Sequence, residues 1–379
     1  MRRTIFNQDH ELYRLAAREF IEKEITPHHA DWERDGVLSR EAWLAAGAGG
    51  HLCHSVPEEH GGAGVDDFRF SVVLIEELGK ALASGPGFTV HSEMVVPYIQ
   101  DYASGDQKAR WLPGCVTGEL ITAVAMTEPG TGSDLSAIET RAIRDGDDYV
   151  LNGTKTFISN GQLADLVIVV ARTDSDPHRG LSLLAIERDM EGFERGRNLD
   201  KMGMKAQDTS ELFFNDVRVP IANRIGEEGA GFFCLMSGLE RERLSIAAGA
   251  VAVARRAFDE TISYVRERKA FGRPIGKFQN SRFLMAETAT ELEIAQVFVD
   301  KCTMDLVAGR LTPDVAAMAK WWTTELQLRV IDRGVQLHGG YGYMMEYPIA
   351  RMYADSRAQT IYGGTTEIMK ELIGRGLGL

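Results

Sequence analysis

Apolar residues recur every three to four positions through both ends of the 379-residue chain, a spacing typical of amphipathic helices. Three stretches of the first 120 residues show this spacing. They are the stretch with Leu12, Leu15, Ala16, Glu19 and Phe20, the stretch from Ser39 through Ala42 and Trp43 to Ala46, and the run Phe70–Leu82. The pattern therefore predicts a helical N-terminal part.

After Ile121 the pattern changes to short runs of branched and aromatic residues, which favour β-strands. The predicted strands are Leu166–Val170, Leu181–Ile186 and Glu211–Val219. Asn152-Gly153, a preferred turn dipeptide, separates Tyr149–Leu151 from Thr154–Ser159 and predicts a β-hairpin. We therefore expect a β domain in the middle of the chain.

From Gly231 onward the helical spacing returns. The predicted helices are Phe232–Arg268, Lys277–Gly309, Pro313–Leu337 and Thr366–Ile373. Glycine-containing breaks interrupt them at Phe271–Pro274 and His338–Gly342, and glycines also precede the last helix. The whole pattern predicts an α+β multidomain chain, divided into residues 1–120, 121–225 and 226–379.

Glu242 interrupts the apolar stripe of the first C-terminal helix. At about 100° per residue, it lies on the face formed by Leu235, Leu239, Ile246 and Val253. An unpaired carboxylate in apolar surroundings costs several kcal/mol or stays protonated with a raised pKa. Two interpretations follow from the residues alone: a buried Glu paired with a nearby Arg, or a general base tuned by desolvation.

Charge and composition narrow the class of protein. The net charge of −13 argues against a general nucleic-acid binder. A hydrophobic content of 44% is ordinary for a soluble globular protein, and the longest apolar runs, residues 166–171 and 246–254, are too short for a membrane span. The four scattered cysteines and the absence of a secretory signal predict a cytoplasmic protein, or one of the mitochondrial matrix if this is a mature eukaryotic chain.

The loop Met126–Asp134 is the densest run of small and hydroxyl-bearing residues. Its glycine spacing does not fit a Rossmann fingerprint, and no Gly-Lys-Ser/Thr follows as in a Walker loop. His51, His54 and His60 straddle a turn without partners at ligand spacing, so we expect no metal site. The signatures of serine hydrolases, zinc proteases and protein kinases are absent from the sequence.

Five blocks in this order resemble the acyl-CoA dehydrogenase family over the whole chain. They are Met126–Asp134 (MTEPGTGSD), Lys155–Asn160 (KTFISN), Arg268–Gln279 (RKAFGRPIGKFQ), Gln336–Gly340 (QLHGG) and Ile361–Glu367 (IYGGTTE). Three further blocks are similar to the long-chain members: Ser84–Phe88 (SGPGF), Lys201–Leu212 (KMGMKAQDTSEL) and Gly363-Gly364-Thr365. The resemblance implies an N-terminal helical bundle, a middle β-barrel-like domain and a C-terminal four-helix bundle, with FAD between the last two.

The resemblance also implies the reaction, in which an acidic base removes the α-proton of an acyl-CoA while the β-hydride passes to the flavin. Most family members carry that base as a Glu just before the last helix, where this chain has Gly363. Long-chain and isovaleryl-type members carry it on the first helix of the C-terminal bundle, and the matching residue is Glu242. Gly363 is then expected to offer its backbone amide to the thioester carbonyl.

The remaining contacts are likewise implied by the resemblance. The expected flavin-binding residues are Met126, Thr127, Gly132, Ser133, Phe157, Ile158, Ser159, Arg268, Phe271, Gln279, Gln336, Leu337, His338, Gly339, Gly340, Thr365, Thr366 and Glu367. Of these, Gln336–Gly340 are expected to come from a neighbouring subunit. The expected substrate-binding residues are Ser133, Phe233, Arg243, Gly363 and Gly364.

The resemblance further implies a homotetramer that passes electrons to an electron-transfer flavoprotein. Pro86-Gly87 breaks a helix near the expected base of the acyl cavity, which suggests room for a long or branched tail. Three alternatives stay open: a specialised biosynthetic acyl-thioester dehydrogenase, an oxidase that passes electrons to oxygen, and a catalytically silent flavin- or acyl-CoA-binding homologue. The last is suggested by the glycine at position 363.

Overall fold

The computed structural model describes residues 1–177 and 179–379. Its N-terminal part is helical. The helices are α1 (Gln8–Phe20), α2 (His29–Asp35), α3 (Arg40–Ala48), α4 (Phe68–Ala81), α5 (Val96–Tyr102) and α6 (Gly105–Thr117). Asn7 and Ser104 each begin a helix with a capping box, and Ser39 caps α3. Two π-helical segments, Ile21–Ile25 and Val90–Val95, adjoin α1 and α5.

Helix α1 exists as predicted, but it packs through a different face. Leu12 and Leu15 are exposed, whereas Arg14 and Ala17 are buried. The reason is electrostatic, because Arg14 reaches Glu76 and Glu77 of α4 at 2.9 and 3.0 Å. Buried carboxylates need a partner, and that requirement turns the arginine inward.

The middle part is an eight-stranded mixed sheet in the order β6-β7-β3-β2-β4-β5-β8, with β1 paired in parallel to β4. The strands are β1 (Thr122–Ala125), β2 (Arg141–Asp145), β3 (Asp148–Ser159), β4 (Leu166–Arg172), β5 (Leu181–Glu187), β6 (Phe193–Asn198), β7 (Thr209–Pro220) and β8 (Arg224–Ile225). The predicted strands at 166–170, 181–186 and 211–219 are confirmed within β4, β5 and β7.

Both faces of β4 and β5 are buried, which explains their uninterrupted apolar runs. Leu166, Ile168 and Val170 face the core shared with the N-terminal helices. Val167 and Val169, which alternate with them, face the separate core of the sheet itself. Because successive side chains of a strand point to opposite faces, β4 and β5 contact the N-terminal helices on one face and the core of the sheet on the other.

The predicted hairpin at Asn152-Gly153 is wrong. Strand β3 runs straight through these residues, and the turn lies earlier, between β2 and β3 at Gly146. Gly153 marks a bulge against β7 instead, where Asn152 exchanges two hydrogen bonds of 2.9 Å with Asp216. A Cβ at Gly153 would stand 2.4 Å from Thr140 Oγ1, so the glycine serves a close approach and not a turn.

The C-terminal part is helical again. Its elements are α7 (Gly231–Ser237), α8 (Leu239–Glu267), the two-residue strands β9 (Lys269–Ala270) and β10 (Arg273–Pro274), α9 (Gln279–Val307), α10 (Pro313–His338), α11 (Pro348–Ser356) and α12 (Thr366–Gly376). Helices α8, α9, α10 and α11 share one core with α4. Among the residues described, no helix is long and apolar enough to cross a membrane.

Two predictions about the C-terminal helices need correction. The single helix expected over Phe232–Arg268 is interrupted at Gly238, so α7 and α8 are separate. Helix α11, which the apolar spacing did not indicate, lies between the glycine-rich break and the last helix. Its nine residues give too few turns for an apolar period to be recognised in the sequence. In the structure, the helix packs into the core through Ile349 and Met352.

Candidate active site

Glu242 lies in the first turn of α8, directly after the break at Gly238. Its side chain is half-buried, and it makes no hydrogen bond or ion pair with any residue that the structure describes. Burial raises the pKa of Glu242, and the charges of Arg243 and Lys320 oppose this only in part. The expectation of a carboxylate paired with a nearby Arg does not fit this geometry. A half-accessible acid with a raised pKa has the properties required of a proton acceptor.

Gly363 lies beside Glu242, although 121 positions separate them in the chain. A Cβ built on Gly363 would stand 3.6 Å from Glu242 Oε1 and 2.4 Å from Ile246 Cδ1. Gly363 and Gly364 both have left-handed backbone angles, with φ of 65° and 96°. A side chain at position 363 would thus enter the space beside the Glu242 carboxylate, and the glycine leaves that space open.

The neighbours of Glu242 include residues that sequence analysis did not single out. Lys320 of α10 is fully buried and donates from Nζ to the Gly364 carbonyl at 2.6 Å. The hydroxyl of Tyr98 lies near Gly238, and burial followed by the Glu242 charge raises the pKa of Tyr98. Helical spacing contained a signal for Lys320, because it shares a face with the buried residues Ala316 and Thr324.

Arg243 is one of the expected substrate contacts, and it is buried next to Glu242. Burial lowers the pKa of Arg243, and its Nε has no hydrogen-bond partner among the described residues. Phe233, by contrast, lies on α7 with 70% of its surface exposed. A buried polar nitrogen without a partner is costly. The structure therefore places Arg243 beside the carboxylate, whereas Phe233 lies at the surface of α7.

A buried ion pair joins two of the expected flavin segments. Lys155 Nζ donates to Glu128 Oε1 at 2.8 Å and to the Met126 carbonyl at 2.9 Å. Glu128 also accepts from the backbone amides of Glu139 and Thr140 at 2.7 and 2.9 Å. The pair holds the loop Met126–Asp134 against β3. Burial lowers the pKa of Lys155 to about 8 even though Glu128 opposes this.

The segment Phe157–Ser159 combines backbone strain with exposure. Phe157 has φ of 60° and 66% of its surface exposed, and Ile158 beneath it is buried. A left-handed backbone is unusual for a non-glycine residue and costs about 1–2 kcal/mol. The strained residue presents an aromatic ring beside the Thr127 segment, whose carbonyl accepts from the Thr156 amide at 2.9 Å. This arrangement fits the planar ring system of a flavin.

A second expected flavin cluster surrounds a cavity of about 540 Å³. Arg268, Leu337, His338, Gly339 and Gly340 line it, together with Tyr264, Ile275, Tyr341 and Met344. A Cβ at Gly339 or Gly340 would meet nothing within 4 Å, so the glycine backbone is open to a ligand. A guanidinium beside open backbone amides suits a pyrophosphate. One chain thus brings Arg268 and the Leu337–Gly340 segment together around this cavity, and the supply of Gln336–Gly340 to the flavin of a neighbouring subunit stays a prediction.

Other expected flavin contacts lie at the protein surface and do not line this cavity. Phe271 is 95% exposed, Gln279 is the exposed first residue of α9, and Gln336 is exposed on α10. Gly132 and Ser133 are exposed in their loop. The final group begins α12: Thr365 is its N-cap, Thr366 its first residue, and Glu367 lies in its first turn. The free amides of such a helix start favour anionic groups.

The histidines considered for a metal site lie elsewhere. His51 and His54 both contact the Tyr13 hydroxyl, at 3.3 and 2.9 Å. His60 lies beyond them, with Nε2 3.6 Å from Glu59. Within residues 1–177 and 179–379, no group of His, Cys, Asp and Glu side chains has a geometry that could hold a metal ion.

Comparison with known proteins covers the whole chain. Three family profiles match: "Acyl-CoA dehydrogenase, N-terminal domain" over residues 7–119, "Acyl-CoA dehydrogenase, middle domain" over 123–217 and "Acyl-CoA dehydrogenase, C-terminal domain" over 229–378. The mitochondrial long-chain specific acyl-CoA dehydrogenase of Sus scrofa is 48% identical over 376 residues, covering 98% of this chain and 87% of that protein.

Solved structures agree with this similarity. A crystal structure of an acyl-CoA dehydrogenase from Geobacillus kaustophilus superposes with a TM-score of 0.97 at 50% identity, covering 99% of each chain. A glutaryl-CoA dehydrogenase from Mycobacterium smegmatis, solved in complex with FADH2, superposes with a TM-score of 0.91 at 28% identity over 98% of this chain and 95% of that one.

Proposed function

The chain belongs to the acyl-CoA dehydrogenase family of FAD-dependent oxidoreductases, and from that premise we propose that it oxidises a long-chain or branched acyl-CoA to the trans-2-enoyl-CoA. One observation carries the proposed site. Glu242 has no side-chain partner among the described residues, has a pKa raised by burial, and lies beside Gly363, where the family resemblance implies the base of most members.

In the proposed reaction, Glu242 accepts the α-proton of the thioester. The backbone amide of Gly363 donates to the thioester carbonyl, and this stabilises the negative charge that develops as the proton leaves. Bound FAD supplies the acceptor for the β-hydride. Because Glu242 and Gly363 are adjacent, the carboxylate and the amide act on neighbouring atoms of one substrate.

The proposed FAD-binding residues fall into the groups described above. The Met126–Ser133 loop and Phe157–Ser159 would hold the ring system. Arg268, with Leu337–Gly340 of a neighbouring subunit, would hold the pyrophosphate and adenine. We propose that Phe271, Gln279, Gln336 and the start of α12 complete the site in a homotetramer, since these groups are exposed in the single chain. The mass of the purified flavoprotein in solution, measured by light scattering, tests this assembly.

The base assignment is tested by Glu242→Gln, which keeps the shape of the side chain and removes its basicity. We expect the rate of flavin reduction by an acyl-CoA to fall by about 10²- to 10⁴-fold. Glu240→Gln removes a carboxylate from the same turn of α8 and should leave the rate nearly unchanged. Reduction of the Glu242→Gln flavin at the original rate would show that Glu242 is not the base.

The substrate class is tested by anaerobic bleaching of the bound flavin with acyl-CoA thioesters from short to long and branched. Similarity to the Sus scrofa long-chain enzyme supports a preference for long chains. Faster bleaching by short straight chains would contradict it. If acyl-carrier-protein thioesters but no acyl-CoA bleached the wild-type flavin, the biosynthetic alternative would be favoured. If neither kind of thioester bleached it, the catalytically silent alternative would replace the proposal.

We propose an electron-transfer flavoprotein as the electron acceptor, in a cytoplasmic location or in the mitochondrial matrix. Turnover should then depend on added electron-transfer flavoprotein. Rapid oxygen consumption in its absence would indicate an oxidase instead.

A further inference from the structure

Lys320 is a buried cation with an unusual environment. Its side chain is fully buried in α10, and it forms no salt bridge among the residues described. Burial, followed by the charge of Arg243, lowers the pKa of Lys320 to about 8, although Glu242 and Glu367 oppose this. Below that pH the ammonium stays charged inside the protein. A buried charge without a carboxylate partner costs several kcal/mol, so its position needs an explanation beyond packing.

Among the described residues, the one hydrogen bond of the Lys320 side chain ends on the turn that precedes α12. Nζ donates to the Gly364 carbonyl at 2.6 Å. Gly363 and Gly364 both have left-handed backbone angles, and a turn of two glycines has few intrinsic restraints. The Lys320 bond ties this turn to the rigid helix α10, and the Gly363 amide belongs to the same turn.

The charge of Lys320 also acts on the carboxylate across the site. The titratable groups that face Glu242 are Arg243 on α8, Lys320 on α10 and Tyr98 on α5, while Glu367 on α12 faces Lys320. Burial raises the pKa of Glu242, and Arg243 and Lys320 are the charges that restrain this rise. Lys320 therefore connects both groups of the proposed reaction.

We propose that Lys320 is a positioning residue of the dehydrogenation site, which orients the Gly363 amide through the Gly364 carbonyl and keeps the Glu242 carboxylate ionised through its positive charge. This inference rests on the proposed function. Lys320 touches neither substrate nor the reacting atoms, and it acts through Gly364 and Glu242. Two separable effects follow, one on the geometry of the turn and one on the titration of the base.

Two variants separate these effects. Lys320→Met fills a similar volume but removes both the charge and the hydrogen bond, and we expect kcat to fall by about 10- to 100-fold because the amide is misplaced. The acid limb of the pH profile of flavin reduction should move to higher pH, since loss of the positive charge raises the pKa of Glu242. Lys320→Gln keeps a donor without the charge, so it should retain more of kcat but show the same movement of the limb.

Lys370→Met is the matched control. Lys370 of α12 is half-exposed, with Nζ 4.9 Å from the Trp321 ring centroid. The Lys370→Met substitution removes one positive charge near α10 but no hydrogen bond to the Gly363-Gly364 turn. It should leave both kcat and the acid limb of the pH profile unchanged. If Lys320→Met fails to fold or to bind flavin, the Gln variant carries the test. A wild-type pH limb in a folded Lys320 variant, or an equal movement in Lys370→Met, overturns the inference.

The outcome of Glu242→Gln distinguishes a failure of the proposed base from a failure of the proposed role of Lys320. If that variant stays active, the proposed base is wrong and the inference about Lys320 falls with it. If Glu242→Gln is inactive while Lys320→Met and Lys320→Gln keep the wild-type kcat and pH profile, the base stands and only the role of Lys320 is wrong.

Discussion

At the scale of single residues, Glu242 of α8 and Gly363 before α12 border the same space. A Cβ at Gly363 would lie 3.6 Å from the Glu242 carboxylate, so an acid at either position would reach the same space. Chemistry requires a carboxylate beside the substrate, and it does not require that the carboxylate come from a particular helix. In the proposed reaction, Gly363 puts no side chain into this space, and its backbone amide donates to the thioester carbonyl.

Gly363→Ala tests how far the site depends on that empty side. Position 363 has a left-handed backbone, in which a residue with a Cβ costs about 1–2 kcal/mol, and the new Cβ would stand 2.4 Å from Ile246 Cδ1. We expect a loss of stability together with a fall in kcat, measured by urea unfolding and steady-state assays.

Gly146→Ala is the control for backbone cost alone. Gly146 has φ of 66° in the β2–β3 turn, and a Cβ there meets nothing within 4 Å. This variant should lose only the backbone part of the stability, about 1–2 kcal/mol, with unchanged kcat. Equal kcat in both alanine variants would mean that position 363 has no part in the chemistry.

At the scale of elements, a buried ion pair and the backbone bond from Thr156 to Thr127 hold the loop Met126–Asp134 against β3. Lys155 and Glu128 are both buried, and each is held by further hydrogen bonds to backbone groups. The two sequence blocks that resemble flavin segments are therefore one structural unit. Gly87 packs closely against Asn160, the residue that follows β3. A Cβ at position 87 would stand 2.0 Å from Asn160 Oδ1, so this contact requires a glycine whether or not the glycine also leaves room for an acyl tail.

Lys155→Met should release this unit. Glu128 would keep its two backbone donors but lose its buried counter-charge, and removal of one partner from a buried pair typically costs about 3–5 kcal/mol. We expect a lower unfolding midpoint and loss of bound flavin, measured by denaturation and by flavin absorbance. Lys205→Met removes a cation from the exposed pair with Asp200 and should change stability by less than about 0.5 kcal/mol. Full flavin occupancy and an unchanged midpoint in Lys155→Met would contradict this account.

At the scale of the whole molecule, buried titratable groups in the N-terminal helices set the response to acid. Burial alone would raise the pKa of Glu77, but Arg18, Lys80 and Arg14 lower it to about 2. Burial lowers the pKa of His91 to about 4, and burial with the His54 charge does the same for His51. These depressed values mean that the unfolded chain binds more protons than the folded chain at low pH.

Stability should therefore fall with acid in two stages. The histidine contribution is complete above about pH 6.5 and is lost as pH falls through 4. The Glu77 contribution is complete above its ordinary value of 4.5 and is lost as pH falls through 2. Urea unfolding as a function of pH measures both, and Glu77→Gln should flatten only the lower stage. Glu371→Gln, which removes an exposed carboxylate, should leave both stages intact; flattening by that variant would contradict the assignment.

The sequence by itself determined the layout of the molecule. Apolar periods and glycine breaks located the long helices and the central strands, because such elements repeat their pattern over many residues. The same reasoning placed Glu242 on one face with Ile246 of α8, since neighbours in a helix are also neighbours in sequence, although Leu235 of the predicted stripe lies on the separate helix α7. The division at residues 120 and 225 stays a prediction, with α6 ending at Thr117 and α7 beginning at Gly231.

Only the tertiary structure decided which distant groups meet. The turn expected at Asn152-Gly153 is a bulge because Thr140 lies against it, and α1 turns Arg14 inward because Glu76 and Glu77 lie opposite. The contact of Gly363 with Glu242 and the bond from Lys320 to Gly364 likewise join positions far apart in the chain. The local sequence pattern reflects only the helix or strand to which a residue belongs, whereas these contacts depend on how separate helices and strands pack together.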